Sequence, residues 1–271
     1  MAMNNITLTS GMRQNLFSLQ QTSTAMETTQ TRLSTGKKVN SALDDPINFF
    51  AAQGHTQRAN DLSMRKDEMS EAIQTIKAAD NGISAVTDMI ASAKSLAQSA
   101  MATNDTTERA TLAGQYDEMM TQISELRSDS GYKGTNLLDA SQSITVSFDE
   151  SGDSTLTVTG KDGTGALNGT TSTNDWALDS EITADIAKLD TARDTLRTSA
   201  KTLSNQLSTI TTRQEFTSKM INTLEDGAAS LVNADLNEEG ANMLMLQTRQ
   251  SLGTTSLSLA SQAAQSVMRL F

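Results

Sequence analysis

The sequence predicts a mainly α protein: an elongated, antiparallel, coiled-coil-like helical rod built from both termini, with a small central β-hairpin insert. Three observations predict it. Apolar residues recur at alternating steps of three and four through both halves of the 271-residue chain. One stretch, 141–180, switches to alternation of period two. Aromatic residues are scarce, at six Phe, two Tyr and one Trp, which favours thin helix-on-helix packing over a thick globular core.

In chain order, Met12, Leu16, Leu19, Ser23, Met26, Gln30 and Leu33 predict the first helix. A structured connector follows. Gly36 suits the left-handed conformation that ends a helix, and Asp44, Asp45 and Pro46, the only proline, mark a turn or a new helix start. From Leu62 a heptad runs without a slip through Met69, Ile76, Ile83, Ile90 and Ala97, with Arg65, Ala72, Ala79, Val86, Ala93 and Ala100 three residues on. That is one long helix, about 57 Å from Leu62 to Ala100, in which Gly82 is a local weakness costing about 1 kcal/mol. The small alanine layer implies close packing. Asn104-Asp105-Thr106 is a turn, and Leu112, Tyr116, Met119, Ile123 and Leu126 predict a third helix ending near Gly131.

Ile144, Val146 and Phe148 alternate with polar residues, Ser151-Gly152-Asp153 turns the chain, and Leu156 and Val158 alternate again, predicting a β-hairpin. Gly163 to Thr173 is a loop by composition. The heptad returns at Ile182 and continues to Leu231, a helix of about 75 Å, with Arg193, Gln214 and Thr217 as polar members that fix register at some cost in stability. Asn233 to Glu239 reads as a second connector. The last helix, Gly240 to Phe271, carries an apolar stripe at Ala241, Met245, Leu252, Leu259, Ala263, Val267 and Leu270, for which the Met12–Leu33 helix is the expected partner.

The two ends share an unusual face. Of 21 Lys/Arg and 32 Asp/Glu, residues 1–31 and 240–271 contain only Arg13, Glu27, Arg249 and Arg269, where an even spread would place roughly three times as many. A solvated helix face is normally charged. These faces are Ser, Thr, Gln and Asn, which suits polar packing, so burial of both ends is expected.

Several function classes are excluded or disfavoured. With no Cys there are no disulfides, thiolate chemistry or Cys-ligated metals. A net charge of −11 without a basic run argues against nucleic-acid binding. The start of the chain lacks the pattern of a cleavable secretory signal, and the longest apolar run of the last helix, Met243 to Leu246, is too short for membrane insertion. His55, the only histidine, has no second ligand at helical spacing and reads as a packed or solvated residue. Asp149, Glu150 and Asp153 are not spaced as a calcium loop. The fourteen Met residues read as core filler. Neither a nucleophile elbow nor a phosphate loop is present, so no catalytic residue, cofactor or metal is expected.

Particular residues then resemble a known family. Arg32-Leu-Ser-Thr-Gly-Lys-Lys-Val-Asn-Ser-Ala-Leu-Asp-Asp45 is similar to the RLSSGxRIxSAxDD connector of bacterial flagellin. Arg58-Ala-Asn-Asp61 resembles its N-A-N-D segment, Gly131-Tyr-Lys-Gly-Thr-Asn-Leu-Leu138 its F-N-G-x-x-L-L, Asn233-Ala-Asp-Leu236 with Glu238 and Glu239 its DADxAxE connector, and Gln265-Ser-Val-Met-Arg-Leu-Phe271 its closing Q-x-V-L-x-L-L. The resemblance covers roughly 1–140 and 181–271; the short length and Ile47-Asn-Phe-Phe50 look like the small flagellins of alphaproteobacteria.

The resemblance implies a non-enzymatic, extracellular protomer of the flagellar filament that serves motility. It implies terminal helices 1–38 and 236–271 forming an inner core, a helical outer-tube domain of 39–140 and 181–235, and a surface-facing insert 141–180. Met12, Leu16, Leu19, Met26, Leu33, Met245, Arg249, Leu252, Leu259, Val267, Arg269 and Leu270 are the expected inner-core interface, and Gly36, Asp44, Asp45, Pro46, Asp235, Glu238 and Glu239 the connector residues. Implied partners are other flagellin subunits, an export chaperone and the type III export gate, the filament cap and the hook-filament junction proteins. The stretch Met89 to Ser99, aligned with the helix contacted by the innate immune flagellin receptor, has one charge, Lys94, where strongly recognised relatives carry a basic and acidic cluster, so weak or absent recognition is expected. Competing readings are a hook-filament junction protein and a secreted coiled-coil effector or enzyme.

Overall fold

The computed structural model describes residues 10–162, 167 and 171–268, the side chains of Val267 and Met268 excepted. Among them the order is α1 (Ser10–Thr35), α2 (Pro46–Ala102), α3 (Thr106–Asp129), β1 (Ser143–Ser147), β2 (Thr155–Thr159), a single turn at Thr173–Trp176, α4 (Asp179–Val232) and α5 (Leu236–Met268). The protein is mainly α with one two-stranded antiparallel sheet. It divides into two compact units: Arg58–Thr223, and the two ends of the chain up to Gln57 and from Leu224.

In the central unit the heptad of α2 is the spine of the core. Leu62, Met69, Ile76, Ile83, Ile90 and Ala97 are buried, as are Ala72, Ala79, Val86, Ala93 and Ala100. Arg65 leaves that pattern and pairs with Glu68 at 2.8 Å. Tyr116, Met120 and Ile123 of α3 and Ile182, Leu189, Leu196, Leu203 and Ile210 of α4 complete the cluster, each large side chain contributing about 2 kcal/mol through burial. Gln214 of α4 donates to Ser70 Oγ at 2.6 Å, and Thr217 is buried.

Local chemistry sets the ends of these elements. Asp105 caps α3 by accepting the N–H groups of Thr107 and Glu108. Gly82, which weakens α2 intrinsically, sits where the chain leaving α3 crosses: a Cβ there would lie 2.6 Å from Ser130 Cβ. The hairpin pairs Ile144 with Val158 and Val146 with Leu156, and Gly152, at φ 78°, makes the turn. Val146, Phe148 and Val158 join the core of the helices, Arg213 of α4 stacks over Phe148, and Arg58 of α2 pairs with Glu150.

The segment after the hairpin contains an element that its loop-like composition hides. Asn174, Asp175 and Trp176 have φ of 53°, 51° and 59°, a left-handed turn costing about 1 kcal/mol or more per residue. It is held because Trp176 is fully buried and stacks near Tyr116, with ring centroids 4.9 Å apart. Two carboxylates fasten it. Asp185 accepts Trp176 Nε1–H at 2.8 Å and the N–H and hydroxyl of Thr173 at 3.0 Å; Asp117 accepts the N–H and hydroxyl of Ser172.

Candidate polymerisation surface

The terminal unit is built on α1 and α5. They run antiparallel, as Arg32 meets Glu239, Leu19 meets Gly253 and Asn15 meets Ser256. The connectors join at one end of the pair. Gly36, at φ 69°, donates to Arg32 O at 2.8 Å and so closes α1. Lys37 and Asn233 form a β-bridge, Lys38 N–H reaches Val232 O at 2.7 Å, and Ala234 N–H reaches Gly36 O at 3.0 Å.

The predicted connector residues divide their labour. Asp44 accepts the N–H groups of Ser41 and Asn40 at 2.9 and 3.0 Å, and those donors hold its carboxyl below the usual carboxylate range. It folds the loop and caps no helix. Asp45 is the cap: its carboxylate takes the N–H groups of Ile47 and Asn48, with Pro46 at the first helical position, and the backbone and side-chain donors of Asn48 lower its pKa. Asp235 caps α5 through Asn237 and Glu238. The second connector is therefore shorter than the expected 233–239: the helix starts at Leu236, and Glu238 and Glu239 lie in its first turn, where the helix dipole favours acids. Glu239 is buried and takes Arg32 Nη1 at 2.8 Å.

The register between the helices differs from expectation. On α1 the covered face is Met12, Asn15, Leu19, Thr22, Met26, Thr29 and Leu33, so the expected Met12, Leu19, Met26 and Leu33 lie on it while Leu16 is exposed. On α5 the covered face is Met243, Leu246, Gln250, Gly253, Leu257, Ala260 and Ala264. The expected stripe of Met245, Leu252 and Leu259 is exposed, with Arg249. The physical reason is that α5 bears two apolar stripes, two residues or about 200° apart round the helix, and α1 packs on the second, with Leu19 against Gly253. Val267, as a side chain, and Arg269 and Leu270 lie outside the described residues.

The consequence is a concentration of apolar surface. Leu16, Phe17, Leu43, Ile47, Phe50, Leu236, Leu244, Met245, Leu252 and Leu259 are ten of the fourteen large hydrophobic residues exposed among the described ones, and all ten belong to the terminal unit. Leu43 is 95% and Ile47 80% exposed. Their clustering marks a binding surface rather than the scatter of single apolar residues found on any protein.

Among the described residues no group of His, Cys, Asp or Glu is placed to hold a metal ion, and no helix is long and apolar enough to cross a membrane. His55 is half-buried, with Gly227 of α4 beside it.

The bacterial flagellin N-terminal helical region matches residues 4–143, slightly more than half of the chain. The chain belongs to the bacterial flagellin family. Flagellin FljM of Caulobacter vibrioides is 29% identical over the whole of both chains, and a flagellin of Brucella melitensis is 26% identical over 94% of this chain and 95% of its own. A crystal structure of Bacillus cereus flagellin is 19% identical, with a TM-score of 0.49 over 55% of this chain and 88% of that one. As a flagellin it is a structural protein of the extracellular flagellar filament, not an enzyme, and its partners are other flagellin subunits.

Sequence reasoning missed the exposed Leu43–Ile47–Phe50 surface and the Arg32–Glu239 pair. The second had a signal. Neither residue has an opposite charge three or four positions away on its own helix, although helical charges usually find partners there.

Proposed function

We propose that this flagellin polymerises through the exposed faces of α1 and α5, and that the filament so formed drives motility. The observation that carries the reading is the double striping of α5: one stripe is used within the chain, and Met245, Leu252 and Leu259 are left for a neighbouring subunit. On this reading Leu16, Met245, Arg249, Leu252 and Leu259 face neighbours, joined by Val267, Arg269 and Leu270. Met12, Leu19, Met26 and Leu33 contribute by holding the pair together, and Gly36, Asp44, Asp45, Pro46, Asp235, Glu238 and Glu239 aim it.

Residues 1–38 with 236–271 would then form the inner core, 39–140 with 181–235 an outer helical domain, and 141–180 the insert. Family membership supports export by the flagellar type III apparatus with a cytoplasmic chaperone, and encounters with the cap and hook-filament junction proteins during assembly. The low charge of Met89–Ser99, where Lys94 is already paired with Asp190 at 2.7 Å, supports weak or absent recognition by the innate immune flagellin receptor.

The test is polymerisation. Purified subunit at rising concentration is mixed with sheared filament seeds and viewed by electron microscopy. Long filaments of the seed's diameter are expected. Their absence, with both termini intact, would favour a junction protein instead.

A further inference from the structure

We propose that Gly253 is a positioning residue for assembly: it forms the notch that receives Leu19 and thereby fixes the register of α1 against α5. The inference rests on the polymerisation reading above. A Cβ at position 253 would lie 2.6 Å from Leu19 Cδ2, 3.1 Å from Cγ and 3.7 Å from Cδ1. Because the branch carbon is crowded as well as one methyl, turning the end of the side chain does not make room. The staggered conformers open to a leucine on a helix are few, so the whole side chain must leave the notch or the helices must part.

The rest of the contact does not fix register strongly. Beside the apolar Met12, Met26, Met243, Leu246 and Leu257, the covered faces hold Asn15, Thr22, Thr29 and Gln250 with small alanines at 260 and 264, and the Asn15–Ser256 hydrogen bond is long at 3.4 Å. Arg32–Glu239 pins one end, and beyond Leu246 Leu19 seated over Gly253 is the knob and hole with the least room to slide. A slip there would change where the exposed Leu252 and Leu259 of α5 stand relative to α1 while each helix stayed intact.

Helix propensity and packing predict opposite signs for Gly253→Ala. Glycine is a poor helix former and alanine the best, so if the position mattered only for helicity, the substitution would help assembly or leave it unchanged. If the notch sets register, Gly253→Ala raises the subunit concentration needed for seeded growth at least tenfold. Leu19→Ala in the same chain then removes the clash and recovers most of that loss, although it deletes an apolar side chain. Pelleting and electron microscopy with wild-type seeds read the growth. Fluorescence of Trp176, the only tryptophan and a residue of the central unit, verifies that each variant is otherwise folded.

Growth of wild type with Gly253→Ala growing as well would overturn the register role and leave the polymerisation reading standing. A double variant no better than Gly253→Ala would overturn it too. A wild type that does not extend seeds overturns both.

Discussion

The guanidinium of Arg32, in the last turn of α1, meets the carboxylate of Glu239, in the first turn of α5, at 2.8 Å across 207 positions of sequence. The pair is asymmetric: the Glu239 side chain is 9% exposed and the Arg32 side chain 38%. Glu239 Oε2 is buried without a hydrogen-bond partner among the described residues, so this carboxylate depends on one arginine.

That asymmetry predicts unequal substitutions. Arg32→Ala strands a buried charge and should cost about 2–3 kcal/mol of terminal-unit stability. Glu239→Ala frees an arginine that water already reaches, so its cost should be about 1 kcal/mol, much of it the lost acid at the helix N-terminus. The midpoint of heat dissociation of seeded polymer should therefore fall further for Arg32→Ala. Equal shifts would mean that the buried carboxylate is not the costly half.

The two stripes of α5 separate assembly from intrachain packing. Leu246, on the covered face, is nearly buried, whereas Leu252 is 65% exposed. Leu246→Ala should destabilise the α1–α5 pair by about 2 kcal/mol. Leu252→Ser should leave that pair within about 0.5 kcal/mol, as surface changes do, yet stop seeded growth. Limited proteolysis of polymer and sedimentation after seeding distinguish them; normal growth by Leu252→Ser would remove the second stripe from the interface.

How much of this was legible follows from how each helix spends its apolar residues. On α2 they occupy one seam against charged neighbours, so Leu62 through Ala97 could be read off and are buried. On α5 they are spread over two seams. The large side chains Met245, Leu252 and Leu259 drew the assignment, whereas the covered seam runs through Gln250 and Gly253, which no hydrophobic count would choose. On α1, Asn15, Thr22 and Thr29 fit the spacing as well as Leu16, Ser23 and Gln30 do. The Trp176 turn was illegible for another reason: its left-handed backbone is held by Asp117 of α3 and Asp185 of α4, not by local propensity.

Gly82 offers a case in the central unit where propensity and packing disagree. Alanine would strengthen α2 by about 1 kcal/mol in isolation. Its Cβ would instead collide with Ser130 and come within 3.0 Å of Leu138 Cδ1, where overpacking costs about 1–3 kcal/mol. Gly82→Ala should thus lower the melting temperature of the central unit. Ser130→Gly in the same chain should recover part of the loss, less the cost of the hydrogen bond from Ser130 Oγ to Leu126 O at 2.7 Å. A higher melting temperature for the single variant would show that the crossing chain simply moves aside.

Acid should release the Trp176 turn. Burial pushes the Asp185 carboxyl up, but Lys188, the N–H and hydroxyl of Thr173 and Trp176 Nε1–H outweigh it, and the net shift is below the ordinary aspartate value. A carboxyl lowered on folding contributes stability that is fully present above its unfolded pKa and is lost as pH falls through the folded value. Tyr116 cannot supply an acid transition: burial first, then the charges of Asp185 and Asp117, push its hydroxyl up and keep it neutral. Trp176 emission should therefore hold steady at neutral pH and shift to the red below about pH 4, while the helical circular dichroism lags behind. Asp185→Asn loses the charge that meets Lys188 at 2.8 Å, so its emission should be red-shifted already at neutral pH, with the acid step flattened. An Asp185→Asn chain that keeps both the blue emission and the full acid step would show that Asp185 is not the group whose protonation releases the turn.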